Sequence, residues 1–309
     1  MNPGRPMVLV VGDLVADVTI SPRESPVLGE EVEGEISLQG GGSAANQAAW
    51  LWHLGANVRF VGRVGNDLLG TFLLRELRAF GVDCSVVVDA TRPTGVVAAL
   101  VDEGGERALI THRSANSQLD ANDVPPSLWD GVQSLVLTGY LFTHRGSAAA
   151  GCALIAEARR RQIPVALDPA SQRLVARYPG VSNFATWTAG AAWFFPNSSE
   201  ALDLTGATSE REAAAMLLDL YDGVAITRGA SGCLVGTRTT RGVDVVEVPS
   251  RSRVTPIDST GAGDAFAAGF VRAWLAGCPP HEAAGKGLEA ARLAVQLVGA
   301  RPPARQVEG

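Results

Sequence analysis

The sequence predicts an α/β protein: a doubly wound, mostly parallel sheet with helices on both faces, from which two early β-ribbons project. Three observations carry that prediction. From Ser134 onward, short apolar runs alternate with segments of helical period, as in successive βαβ units. Val8–Val11 is an unbroken apolar run, the pattern of a strand covered on both faces. The stretches at roughly 17–38 and 94–113 instead alternate apolar and polar residues, which leaves each ribbon a face too polar for the core. With 309 residues and 46% hydrophobic content, the chain can bury one large core and reads as a single domain, 1–309.

Taken in order, Val8–Val11 is the first strand, closed by Gly12-Asp13. Val18–Ile20 and Val32–Leu38 form the first ribbon around a Pro/Glu/Gly-rich turn. Helix Ser43–Leu54, strand Val58–Val61 and helix Asp67–Phe80 follow, then short strands at Val86–Val88, Gly95–Val101 and Arg107–Thr111 in hairpin-like spacing. Beyond Asp123-Val124-Pro125-Pro126 the expected order is strand Ser134–Thr138, helix Ala148–Arg161, strand Pro164–Leu167, strand Ala192–Phe195, helix Ser209–Leu220 and strand Gly223–Thr227. Gly232–Val235 and Val243–Val248 read as an antiparallel pair. A helix over Ala265–Gly277 repeats Phe266, Phe270 and Trp274 every four residues, and a last helix runs from His281 to Val298.

Composition excludes several functions. The net charge is −6, and the one basic run, Arg159-Arg160-Arg161, falls where a helix ends and cations suit its negative pole, so no nucleic acid is expected. Cys84, Cys152, Cys233 and Cys278 have no paired spacing, which fits a reducing, cytoplasmic setting without disulfides or a thiolate metal site. Met7–Val11 is too short for a signal core or a membrane span, so no membrane contact is expected.

The chemistry concentrates in Ile257-Asp258-Ser259-Thr260-Gly261-Ala262-Gly263-Asp264, read as a loop that starts the helix from Ala265. A helix start carries unpaired N–H groups and partial positive charge, and glycines expose both to an anion, usually phosphate. Asp264 would compete with such an anion, so beside it the acid is more useful as a base. A plain helix cap with a dipole-stabilising aspartate is the other reading of the same residues. The P-loop ending and the dinucleotide fingerprint are both absent here.

Asp258-Ser-Thr-Gly-Ala-Gly-Asp264 resembles the C-terminal signature of the ribokinase-like (PfkB) carbohydrate kinases. Gly40-Gly-Gly-Ser-Ala-Ala-Asn46, running through Gly62-Arg-Val-Gly-Asn-Asp67, resembles their N-terminal signature. The likeness spans nearly the whole chain. It implies a ribokinase-like fold with the ribbons as a β-lid over the sugar site, sometimes a homodimer contact. It also implies ATP and Mg²⁺, with K⁺ as a candidate, and phosphorylation of a hydroxyl on a ribose-, ketose- or 2-keto-3-deoxygluconate-type substrate. A nucleoside acceptor is the alternative within the family; a non-catalytic nucleotide or sugar sensor is the alternative outside it.

The resemblance assigns roles by position. Asp264 is the general base, and the Gly261-Ala262-Gly263 N–H groups hold the phosphoryl group. Asp13 and Asp17, beyond the end of the first strand, and Gly41, Gly42 and Asn46 face the sugar. Asn197 and Glu200 match the family's Asn-x-x-Glu motif, with Glu200 reaching Mg²⁺ through water; by composition alone they are an ordinary capping box. Thr227, Gly229 and Gly232 line the nucleotide side, or simply make a tight turn; Arg228 beside them points to a phosphate or to solvent. Asp258 is a helix cap or a monovalent-cation ligand, opposite Gly299-Ala300. Gly105-Glu106-Arg107 through Ser114-Ala115-Asn116 resembles the return from lid to body. Arg107 or Arg113 would pair with a substrate carboxylate if they are not exposed lid charges, and Tyr140 and Phe142 would stack on a base if the acceptor is a nucleoside.

Overall fold

β1 (Met7–Val11) is buried along its whole length, and its alternate residues feed two different cores. That is possible only for a strand with helices above and below it. The computed structural model describes residues 4–102, 104, 107–170, 184–240, 242–251 and 254–303. The chain continues through β2 (Val15–Pro22), β3 (Gly34–Gly41), α1 (Ser43–His53), β4 (Asn57–Val61), β5 (Arg63–Gly65), α2 (Leu68–Ala79), β6 (Asp83–Cys84), β7 (Val87–Asp89), β8 (Val96–Val101) and β9 (Arg107–His112). After β10 (Val132–Thr138) come α3 (Arg145–Arg160), β11 (Val165–Asp168), α4 (Phe184–Thr188), β12 (Trp193–Phe194), α5 (Ser198–Thr205), α6 (Glu210–Leu217) and β13 (Gly223–Thr227). The described chain ends with β14 (Cys233–Thr239), β15 (Gly242–Val248), α7 (Ala262–Leu275) and α8 (Pro280–Ala294).

The main sheet has nine strands in the order β15-β14-β13-β12-β11-β10-β1-β4-β6, parallel except at the two β15/β14/β13 pairings. Sequence order reverses between β10 and β1, so their following loops diverge there and open a crevice at the carboxyl edge. Val8 and Val10 pack toward the helices α1, α7 and α8, while Leu9 and Val11 pack toward α3. Gly269 and Gly287 let α7 and α8 touch at backbone distance: a Cβ on Gly269 would lie 3.0 Å from the Gly287 Cα.

The two ribbons join into one smaller sheet, β3-β2-β8-β9, through parallel pairing of β2 with β8. Val86–Val88, expected in hairpin-like spacing with the next two strands, does not pair with them: β7 pairs with β5 in a separate two-stranded sheet. The signature helix starts at Ala262 instead of Ala265, because Gly261 takes a left-handed conformation (φ 75°) and caps it. Gly261-Ala262-Gly263 is therefore the cap and first turn of α7 rather than a loop before it. Arg159 and Arg160 fall in the last turn of α3, as their charge suits, and Arg160 and Arg161 both bind Glu157. No helix among the described residues is long and apolar enough to cross a membrane.

Phe270 holds α7 to the sheet: its ring centroid lies 4.5 Å from that of Trp193 and 5.1 Å from that of Phe195. Phe270→Ala is expected to cost about 3–5 kcal/mol, read as a lowered urea midpoint with an unchanged slope.

Candidate active site

A cleft of about 600 Å³ opens at the carboxyl edge of the main sheet, beneath the smaller sheet. Its floor comes from residues just past the ends of β1, β10 and β11 and from the first turns of α1 and α7. A shallower recess beside it is lined by Asn197, Thr227, Arg228 and Gly229, and Ser199 borders both.

Asp264 sits in the first turn of α7, buried, with its carboxylate turned toward α1. One oxygen accepts from the Ser43 hydroxyl at 2.6 Å and from Gln47 Nε2 at 3.2 Å; the other accepts from Asn46 Nδ2 at 3.0 Å. Burial pushes its pKa well above the ordinary aspartate range and the charge of Asp168 adds to that, while the three hydrogen bonds pull it back. Gln47 also donates to Asp168 at 3.2 Å, so one amide joins the two acids. The sequence reading did not single out Ser43, Gln47 or Asp168, whose significance lies in contacts across more than a hundred residues. The Ala262 N–H turns back to the Ser259 carbonyl (3.3 Å), but among the described residues no acceptor reaches the N–H groups of Gly263 and Asp264. A Cβ on Gly263 would meet nothing within 4 Å, so that turn faces open cleft.

At the other end of the cleft, Asp13 is spent on the protein itself. It accepts from Arg113 Nη1 at 2.6 Å and from the Ala44 N–H at 3.2 Å. Arg113 is buried rather than an exposed lid charge, and its guanidinium lies 3.8 Å over the Tyr140 ring centroid. Phe142 is buried against Phe184 and Trp187, so it cannot stack on a ligand: the turn after β10 points Tyr140 to the cleft and Phe142 to the core. Asp17 is the opposite case to Asp13. Among the described residues no donor reaches its carboxylate, and burial, then the charge of Asp13, raises its pKa to about 6 against the pull of Arg301 and Arg113. Gly42 and Asn46 line the cleft; Gly41 does not, and its missing side chain makes room for Asp17, whose carboxylate would overlap a Cβ there. Both ends of the Asn46 amide are engaged, by Asp264 and by Arg301. Gly105 and Glu106 lie outside the described residues.

Asn197 and Glu200 do form the reciprocal capping box of α5, and Glu200 still borders the main cleft. Burial raises Glu200 to about 7, and burial with the charge of Glu200 raises Asp168. Two oxygen-donor carboxylates bordering the same cleft fit Mg²⁺, which keeps most of its waters and takes few protein ligands. Thr227 pairs with Asn197 across the strand ends. Gly232 lines neither recess; it is a turn residue at φ 98° at which a Cβ would strike the Val248 carbonyl. Arg228 lies against Glu210 and Glu247 instead of pointing to solvent alone.

Asp258 is not the cap of α7. Its carboxylate accepts from the Thr260 N–H and hydroxyl and, across the loop, from the Gly299 N–H at 3.0 Å. The Ala300 carbonyl accepts from Trp50 Nε1 at 2.9 Å. The Gly299 contact closes this loop against 299–300.

Comparison with known proteins identifies the family. The model of the pfkB family of carbohydrate kinases matches residues 5–306. The ATP-dependent ribose-1-phosphate kinase of Halopiger xanaduensis is 31% identical over 87% of this chain and 84% of its own, and the ribokinase of Bacillus subtilis is 28% identical over 97% and 98%. The adenosine kinase structure from Sinorhizobium meliloti superimposes with a TM-score of 0.86 at 25% identity, covering 97% of this chain and 96% of that one. The chain belongs to the pfkB family of carbohydrate kinases, phosphotransferases that act on an alcohol group.

Gly261 carries the turn on which this site stands. Gly261→Ala would force a side chain into left-handed backbone and within 2.6 Å of the Ala300 carbonyl. It is expected to destabilise by about 1–3 kcal/mol, and thermal unfolding of the variant checks it.

Proposed function

We propose that this family member catalyses ATP-dependent phosphorylation of a hydroxyl on a neutral sugar or sugar-like alcohol, with Asp264 as general base. The observation that carries the reading is the placement of a buried carboxylate in the same helix turn as the open N–H groups of Gly263 and Asp264. An acceptor hydroxyl on Asp264 gives up its proton there as it attacks the γ-phosphoryl group. The charge that builds on that group is met by the first turn of α7, whose N–H groups and dipole favour an anion. Mg²⁺, held near Glu200 and Asp168, would supply neutralisation of the phosphate oxygens. The smaller sheet covers the acceptor and excludes water that would otherwise compete for phosphate.

Charge favours a neutral acceptor. Among the described residues, the acceptor end carries Asp13, Asp17 and Asp264 against one lining cation, Arg113, which Asp13 already neutralises. Asp17 remains an acceptor in need of a donor, and a sugar hydroxyl supplies one. A carboxylate or phosphate on the substrate would meet Asp17 and Asp264 and, among the described residues, no free cation in that part of the cleft. The nucleoside alternative is weakened because Phe142 is in the core and one face of Tyr140 is covered by Arg113.

Asp264→Asn is expected to lower kcat by at least about 10²–10⁴-fold while ATP still binds; near-normal turnover in that variant would refute the assignment. Since the base works only when ionised and its pKa is raised above the usual 3.8, activity is expected to fall as pH drops through near-neutral values, not only in strong acid. A pH–rate profile reads this. In a coupled ADP-release screen, neutral sugars are expected to give higher kcat/KM than sugar acids, sugar phosphates or nucleosides. A preference for an anionic acceptor would overturn the charge argument.

A further inference from the structure

Arg301 is a buried arginine beyond α8, outside both signature motifs, and it lines no part of the cleft. Its Nε–H donates to Asn46 Oδ1 at 3.2 Å and its Nη2 to the Gly41 carbonyl at 3.0 Å. Its Nη1 lies 3.3 Å from Glu76 Oε2 on α2, an ion pair without hydrogen-bond geometry. Burying a guanidinium is costly unless its donors are used, so this investment calls for a reason.

The reason lies one bond further on. Arginine has donors only, so the atom of Asn46 that faces it must be the carbonyl oxygen. That fixes the amide the other way round at its far end: Nδ2 faces Asp264 Oδ2 at 3.0 Å. A flipped Asn46 would set oxygen against oxygen. Arg301 also ties the glycine stretch before α1 to the segment that Asp258 and Trp50 hold in place. From these contacts we infer that Arg301 is a positioning residue for phosphoryl transfer, acting on Asp264 by fixing the orientation of Asn46. The inference rests on the reading of Asp264 as the base.

The charged and titratable groups that face Arg301 are Glu76 from α2, Asp17 from β2, Cys84 from β6 and Asp264 from α7. Its charge lowers the pKa of Asp17. Loss of that charge therefore disfavours the ionised carboxylates and moves the acid limb of the pH–rate profile upward.

The test uses the full-length enzyme and a sugar that the wild type phosphorylates. Arg301→Lys keeps a cation beside Glu76 but cannot hold Asn46 and Gly41 together; kcat is expected to fall at least about tenfold, with the acid limb unmoved and KM for ATP unchanged. The double variant E76Q/R301M removes the pair without stranding a charge; kcat falls and the acid limb rises. In an Asn46→Leu background, Arg301→Lys is expected to change kcat less than about twofold, because the residue it acts through is gone. Wild-type kcat in both folded Arg301 variants, or an undiminished effect in the Asn46→Leu background, overturns the inference. An active Asp264→Asn enzyme would instead sink the general-base reading, whatever the Arg301 variants do.

Discussion

The hydrogen bonds from Ser43, Asn46 and Gln47 to Asp264 are the contact on which the site depends. They join residues 217 to 221 positions apart, and they join the first turns of two helices. A carboxylate taken from water must recover its hydration from fixed donors. Here the donors come from one face of α1, so the ionised form of Asp264 exists only where α1 and α7 lie side by side. Packing enforces that arrangement from behind: Trp50 of α1 reaches the Ala300 carbonyl, and α7 is pressed on α8 through facing glycines.

The electrostatics of the cleft follow from the same constraint. Asp17, Asp168, Glu200 and Asp264 all have raised pKa values, with burial the largest cause in each. Such acids are a cost to the folded state at neutral pH. The protein offsets part of it from outside the cavity, with Arg301 behind the glycine stretch and Arg113 against Asp13 and Tyr140. Asp168 and Glu200 both border the cleft, and the charge of Glu200 raises the pKa of Asp168. On the proposed function, their negative charge faces the side of the cleft where Mg²⁺ would bring positive charge.

Much of this was legible in the sequence and some was not, for a physical reason. Strand and helix order follows from local periodicity, and the sheet edge that carries Asp13, Asn197 and Thr227 follows from that order. The capping box at Asn197 and Glu200 is local too, and it formed. What periodicity does not encode is which distant groups a side chain meets. Arg113 reads as a surface charge until Asp13 is seen 2.6 Å away. Tyr140 and Phe142 sit two apart in one turn, and nothing in their spacing says that one faces the cleft and the other the core. Asp168 and Arg301 belong to no motif, and their roles are made wholly of long-range contacts. The start of α7 was misplaced because a left-handed glycine cap leaves no side-chain signature of its own.

That left-handed cap also explains why the buried carboxylate and the open N–H groups of α7 cannot be separated. Gly261 turns the chain so that Gly263 and Asp264 both belong to the first turn of α7, one open to the cleft, the other aimed at α1. The positive end of the helix favours an ionised Asp264, while burial and the charge of Asp168 oppose it. The opposition wins, and the acid is held near neutrality rather than deep in the acidic range. On the proposed function, a phosphoryl group arriving at the same N–H groups would add negative charge beside that carboxylate. It would thereby make Asp264 more basic at the moment an acceptor hydroxyl must lose its proton. One helix turn would then couple the arrival of the phosphoryl group to the strength of the proposed base.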